Sequence, residues 1–255
     1  MKRNCLITGA TSGIGKAIAY AFAKNGDNLI ITGRRKDRLL EIQSDIEEKF
    51  AVQVHIDSFD VTNSEQVIAN CQKMLQEVGP IHILVNNAGL ALGLDSFQNY
   101  DLLDMMTMID TNIKGVLTVT RQILPQMVEN NEGHVINIGS TAGIYAYAGA
   151  AVYAATKSAV RVLSDGIRID TLDKNIKVTT LQPGIVETDF SQVRFHGDKD
   201  RAAKVYQGIE ALQAEDIANC ALFVANQPQH VQISDMTIMA TKQATGFTIH
   251  REKMD

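Results

Sequence analysis

Apolar and polar positions follow two rhythms along this chain. Short, nearly unbroken apolar runs such as N-C-L-I-T, I-H-I-L-V-N and G-H-V-I-N-I are separated by longer stretches in which apolar residues recur every three or four positions. The short runs predict strands at 4–8, 28–32, 53–57, 81–86, 134–139, 176–181 and 234–239. The longer stretches predict helices near 14–25, 36–50, 64–78, 102–128, 150–173 and 214–226. A continuous apolar run suits a strand buried on both faces. Strand–helix alternation then builds right-handed crossovers, so the expected fold is a Rossmann-type α/β architecture. Its doubly wound, seven-stranded parallel sheet is flanked by helices in a single domain over 1–255. No repeat, low-complexity tract or linker interrupts this order. The one long stretch without a pattern is 187–205, after the sixth strand. Ligands bind at the carboxyl ends of such strands, so this segment is expected to cover the substrate. An idle surface loop is the alternative, although long loops of that kind are uncommon.

Composition narrows the classes. With 45% hydrophobic and 21% charged residues, the chain fills a large core and is not disordered. A net charge of −5 argues against a general nucleic-acid binder, which needs a basic footprint. No apolar run approaches the roughly 18–20 residues of a membrane span. The N-terminal apolar stretch breaks at Gly9, too early for a signal peptide. Cys5, Cys71 and Cys220 are odd in number and form no Cys-x-x-Cys pair, so they read as reduced thiols of a cytoplasmic protein. The six histidines lack metal-ligand spacing, and no metal is expected.

Two patterns carry chemistry. The first apolar run leads into glycines at 9, 13 and 15, with helical periodicity following. Such a turn lets a pyrophosphate approach bare amides at the positive end of a helix. Glycine-rich turns also arise for steric reasons alone. The second pattern is Tyr153 and Lys157, four residues apart and downstream of Ser140. One helix then presents a phenol and an ammonium on one face. The cation is expected to draw the phenol's pKa toward the working range, making Tyr153 an acid–base group at an alcohol or carbonyl carbon. Ser140 is placed to hold the reacting oxygen.

The chain resembles the short-chain dehydrogenases/reductases. The matching segments are T-G-A-T-S-G-I-G (8–15), N-N-A-G (86–89), Asn112 in D-T-N-I-K-G, Ser140 in I-N-I-G-S, the Tyr153/Lys157 pair and P-G-I-V-E-T (183–188), in the family's order. The resemblance implies that Gly9, Thr11, Ser12, Gly13, Ile14 and Gly15 hold a dinucleotide. It puts Asp60 and Val61 at the adenine, Asn87, Ala88 and Gly89 along the cofactor, and Pro183, Gly184, Ile185 and Thr188 at the nicotinamide carboxamide. Tyr153 as phenolate would take the hydroxyl proton while hydride passes to the cofactor. Lys157 would assist the phenol and bind the nicotinamide ribose, and Asn112 would relay the proton through a water. Taken alone, Asn112 reads equally well as a polar residue on a solvated helix face.

The exit of the second strand reads I-I-T-G-R-R, with Gly33 where the family's NAD members carry an aspartate. A guanidinium binds the extra phosphate of NADP, whereas an acid repels it. Arg34 is the first choice for that contact, Arg35 the second, and Arg38 is nearby; ordinary solvated charges at a helix start are the alternative.

A closer resemblance is to the NADP-dependent 3-hydroxy acid dehydrogenases. It rests on N-N-A-G-L-A-L-G (86–93), M-I-D-T-N-I-K-G (108–115), I-N-I-G-S-T-A-G (136–143), F-S-Q-V-R-F-H-G-D (190–198) and, less closely, T-G-F-T-I-H-R (245–251). It implies substrates such as serine, allo-threonine and 3-hydroxyisobutyrate. Ser140 and Tyr153 would bind the substrate oxygen, and Arg194 is a candidate anchor for the carboxylate, although a surface salt bridge suits it as well. The rivals are a 3-oxoacyl-carrier-protein reductase or another carbonyl reductase of the same family, and a non-catalytic NADP-sensing protein. Against the first stands the ending D-M-T-I-M-A-T-K-Q-A-T-G, and against the second the intact Tyr–Lys pair. The family also implies a homotetramer, with no nucleic-acid or membrane partner.

Overall fold

Neighbouring residues of the first strand, β1 (Asn4–Ile7), serve different layers. Cys5 and Ile7 share a core with Phe22 and Ile217, whereas Leu6 packs with Met74 and Ile123. Side chains alternate across a strand, so an unbroken apolar run needs helices on both faces.

The computed structural model describes residues 2–252. The remaining strands are β2 (Asn28–Gly33), β3 (Val54–Ser58), β4 (Ile83–Asn86), β5 (Gly133–Ile138), β6 (Ile176–Pro183) and β7 (Asp235–Ile238). The helices are α1 (Gly13–Lys24), α2 (Lys36–Lys49), α3 (Ser64–Val78), α4 (Leu102–Ile109), α5 (Val116–Asn130), α6 (Ala151–Asp170), α7 (Phe190–Arg194), α8 (Lys199–Lys204) and α9 (Ala214–Ala225). All strand pairs are parallel, in the order β3-β2-β1-β4-β5-β6-β7. Helices α1, α2 and α9 cover one face, and α3, α5 and α6 the other. The order reverses between β1 and β4, which opens a crevice at the carboxyl ends of the central strands.

Local chemistry explains several ends. Asn63 starts α3 by accepting the Gln66 amide at 3.0 Å, and Gln213 and Asp216 cap α9 reciprocally. Two stretches differ from the expectation. The single helix predicted over 102–128 is divided by a π-helical turn at Asp110–Gly115. That wider turn bulges inward and buries Thr111 and Asn112, a detail a 3.6-residue period does not encode. The patternless 187–205 contains α7 and α8, too short to show periodicity. His196 and Gly197, with φ of 52° and 89°, turn the corner between them.

Candidate active site

The turn after β1 is built for close approach. Gly9 and Gly13 have φ of +67° and +52°, a region that costs a side chain roughly 1–2 kcal/mol. A Cβ on Gly9 would also lie 2.9 Å from the Ala88 Cα. Asn87 fixes the turn from the neighbouring strand. Its Nδ2 donates to the Thr8 and Gly9 carbonyls at 2.9 and 3.1 Å, and the Thr8 hydroxyl accepts the amides of Asn87 and Ala88. Ser12 starts α1 without a side-chain cap, and the first turn holds no acid. The amides at this helix end are therefore available to an anion.

Arg35 lies across this turn, its Nη2 donating to Thr11 Oγ1 at 2.7 Å and Ser12 Oγ at 2.9 Å. Arg34 reaches Asp60 at 3.5 Å. Burial opposes the Asp60 charge, but bonds from the Thr62 amide and hydroxyl and the nearby Arg34 outweigh it, holding the carboxyl below its usual range. A Cβ on Gly33 would sit 2.8 Å from Thr11 Cγ2, so a side chain here would crowd the wall between these groups.

All of this opens into one cavity of about 450 Å³ that continues to Ser140, Tyr153 and Lys157. Gly9, Thr11, Ser12, Gly13, Ile14, Arg34, Arg35, Asp60, Val61, Asn87, Ala88, Gly89, Pro183, Gly184, Ile185, Thr188 and Arg194 line it. Three residues placed at the site by the sequence do not reach its wall. Gly15 is a packing glycine: a Cβ there would meet Asn87 Nδ2 at 2.3 Å and the Gly9 carbonyl oxygen at 2.5 Å. Arg38 points along its own helix to Glu41 at 2.8 Å. Asn112 is 1% exposed rather than solvated. Its Oδ1 accepts the Leu90 amide at 2.9 Å, and its Nδ2 donates to the Leu90 carbonyl and to Thr156 Oγ1. It stays close behind the wall, since a Cβ on Gly89 would be 3.2 Å from Asn112 Oδ1 and 3.3 Å from Lys157 Nζ.

Tyr153 and Lys157 share a face of α6, and the ammonium lies 6.0 Å from the phenol ring centre. Lys157 Nζ donates to the Ile138 carbonyl at 2.8 Å. The expected fall in the phenol's pKa is not what this environment produces. Burial pushes Tyr153 up to about 12, with Tyr147 adding to the rise, and only the Ser140 hydroxyl and Arg194 pull it down. Burial likewise draws Lys157 down to about 8. Both groups are enclosed away from water, and that cost exceeds the benefit of the lysine one turn away.

The end of the cavity around Ser140 and Tyr153 also uses residues that sequence reading passed over. Gln182 is fully buried, accepts the Ser140 amide at 3.0 Å and donates to Asp235, which fixes the Ser140 backbone. A glutamine inside the apolar run V-T-T-L-Q-P was its only signal. Gln243 accepts the Ile185 amide at 2.9 Å across 58 residues, with no local signal. Arg194 is held on several sides. Its Nε donates to the Gly93 carbonyl at 3.1 Å, and its guanidinium lies 5.6 Å from the ring centres of both Tyr147 and Tyr153. Its Nη2 is buried and has no partner among the described residues. Phe190 packs against Tyr153 with ring centres 5.9 Å apart.

Known proteins carry the same arrangement of sequence. The family model for short chain dehydrogenase matches residues 3–199. A probable NADP-dependent dehydrogenase of Haemophilus influenzae is 44% identical over 97% of this chain and 98% of its own length. An NADP-dependent 3-hydroxy acid dehydrogenase of Escherichia coli O6:H1 is 43% identical over 97% of this chain and 99% of its own. The closed form of a serine dehydrogenase complexed with NADP+ superposes with a TM-score of 0.90 at 42% identity, covering 98% of this chain and all of that one.

Proposed function

The chain belongs to the short-chain dehydrogenase family, and on that premise we propose that it oxidises small 3-hydroxy acids of the serine, allo-threonine and 3-hydroxyisobutyrate kind. It is an oxidoreductase acting on a CH–OH group, with NADP as cofactor. When bound, this cofactor would supply the hydride chemistry at the substrate carbon. The glycine turn fits that cofactor, because side chains at Gly9 or Gly33 would fill the cradle and the open end of α1 favours its phosphates. Arg34 and Arg35 are the cations for the additional phosphate, and Arg35 already bridges Thr11 and Ser12 beside it.

One observation carries the substrate reading. Arg194 lines the same cavity with its guanidinium beside Tyr153, and its buried Nη2 has no partner among the described residues. An unmet donor on a buried guanidinium is costly, and a carboxylate meets it. A 3-hydroxy acid has its carboxylate two carbons from the reacting carbon, so Arg194 can hold the acid while Ser140 and Tyr153 hold the hydroxyl. Tyr153 takes or gives the proton at the substrate oxygen. Lys157 binds the ribose and favours the phenolate, and Asn112 relays the proton outward. The segment 187–205, with α7 lining the cavity, covers the substrate and excludes water.

Initial rates of NADP+ and NAD+ reduction with L-serine and with 3-hydroxyisobutyrate test this. Turnover with both acids and a preference for NADP+ supports it. Silence on both acids, with acetoacetyl thioesters reduced instead, moves the activity to acyl reduction and removes Arg194 as anchor.

The assembly is proposed to be a cytoplasmic homotetramer. Leu102, Leu103 and Met106 on α4, and Val162 and Ile169 on α6, are between 48% and 75% exposed, apolar surface of the kind subunit contacts cover. Light scattering of the eluted protein should give four chains per particle; a monomer overturns the assignment.

A further inference from the structure

The opposite end of the sheet holds a second cavity, of about 370 Å³, lined by Arg3, His82, Glu132, His134, Lys177 and Gln229 among others. Apart from Gln229, which follows α9, these residues come from the amino ends of β1, β4, β5 and β6, far from the carboxyl ends that form the catalytic cavity. His134 and Lys177 are register partners on β5 and β6, so their side chains stand together on one face.

Lys177 is 7% exposed, and among the described residues its ammonium has no carboxylate partner, only the Gln227 carbonyl at 2.9 Å. Arg3 is matched by Asp27 at 2.7 Å, whereas Glu132 lies exposed at the mouth. Burial and the nearby Arg3 draw the Lys177 pKa below its usual value. A buried cation of this kind calls for a counter-ion.

His134, 3% exposed, has the opposite need. Its Nε2 is 2.8 Å from the Thr179 hydroxyl, and that hydroxyl donates its own proton to the Ile233 carbonyl at 2.7 Å. Nε2 therefore carries the ring proton, and Nδ1 is a bare acceptor. Nδ1 is buried and unpartnered among the described residues, and burial keeps the ring neutral by pushing it down to about 3. His82 accepts the Asn4 amide on Nδ1 at 3.0 Å, which leaves its Nε2–H as a further donor.

A ligand that satisfies both groups must offer negative oxygen and a hydroxyl proton at once. We propose that this cavity binds inorganic phosphate as its hydrogenphosphate ion, with P–O⁻ on Lys177 and P–OH donated to His134 Nδ1. Sulfate has the same size and charge but no proton to donate at neutral pH.

Calorimetric titration of inorganic phosphate into the NADP+-saturated full chain, at pH 7 and constant ionic strength, tests the site. One phosphate per chain is expected. Sulfate should bind about tenfold more weakly, because it leaves one buried acceptor unsatisfied. Lys177→Met keeps the aliphatic stem and should lose phosphate binding with unchanged circular dichroism. Gln229→Glu, on the exposed rim, should weaken binding without touching a buried group, and it serves if Lys177→Met does not fold. Absence of binding, equal affinity for sulfate, or phosphate binding that survives Lys177→Met overturns the proposal. Phosphate heat that appears only in the cofactor-free chain and is absent from the NADP+-saturated one belongs to the cofactor cleft, and likewise overturns it.

Discussion

The two halves of the catalytic cavity are made in different ways. The nucleotide half is mostly backbone: a glycine turn, the open end of α1 and the Asn87 staple, all within or next to one strand–helix unit. The substrate half is side chains collected from distant segments, with Arg194 set between Tyr147 and Tyr153, and Gln182 and Gln243 holding the backbone behind. A backbone cradle is specified by what is missing from a few adjacent residues. A side-chain wall is specified by where long-range packing delivers its members. The first suits a cofactor of fixed shape, and the second leaves room to change the substrate.

Mutation should separate the halves. The largest effect is expected from Tyr153→Phe, which removes the oxygen proposed to transfer the proton and keeps the ring. Turnover should fall by roughly 10²–10⁴-fold, with NADPH affinity by fluorescence titration unchanged. Retained turnover would falsify the acid–base role.

Arg194→Ala comes next. Loss of a charge-assisted hydrogen bond costs about 1.5–3 kcal/mol, so KM for the hydroxy acid should rise roughly ten- to a hundredfold, while KM for NADP+ stays put. An unchanged KM for serine places the anchor elsewhere.

A smaller effect belongs to the nucleotide half. Arg35→Ala and Arg34→Ala should each raise KM for NADPH several-fold and leave KM for NADH alone. Arg38→Ala, paired with Glu41 outside the cavity, should change neither. A loss in Arg38→Ala equal to that in Arg35→Ala would contradict the division drawn here.

The pH response is the mildest probe. Tyr153 is held protonated by burial, pushed up to about 12, and the proposed oxidation draws on its phenolate. The rate of alcohol oxidation should therefore climb as pH rises through the alkaline range. Carbonyl reduction uses the phenol as acid and should fall over the same range. Stopped assays in both directions at saturating cofactor check the two slopes; parallel slopes would assign the titration to another group.

The motif residues were legible because each is defined by neighbours in sequence. Glycines between a strand and a helix, Gly33 before two arginines, and Tyr153 one turn from Lys157 need no long-range information. Asn112 was legible by position but not by surroundings, because the π turn that buries it leaves no trace in apolar periodicity. Tyr147 offered nothing to single it out in a stretch of small residues, and Gln243 lies near the other end of the chain from the turn where the cavity begins.

By itself, the sequence determined the parallel sheet, since unbroken apolar strands alternating with amphipathic helices have few other ways to bury both faces. It also placed the Tyr153 phenol and the Lys157 ammonium on one helix face, through a four-residue spacing that any helix converts into one face. Tertiary structure alone decided that Arg194 faces Tyr153 and that Gln243 holds Ile185. It also decided that burial, not the nearby lysine, dominates the phenol's proton affinity. Those outcomes depend on which distant atoms exclude water from a group, and desolvation is a property of the packed surroundings rather than of any local spacing.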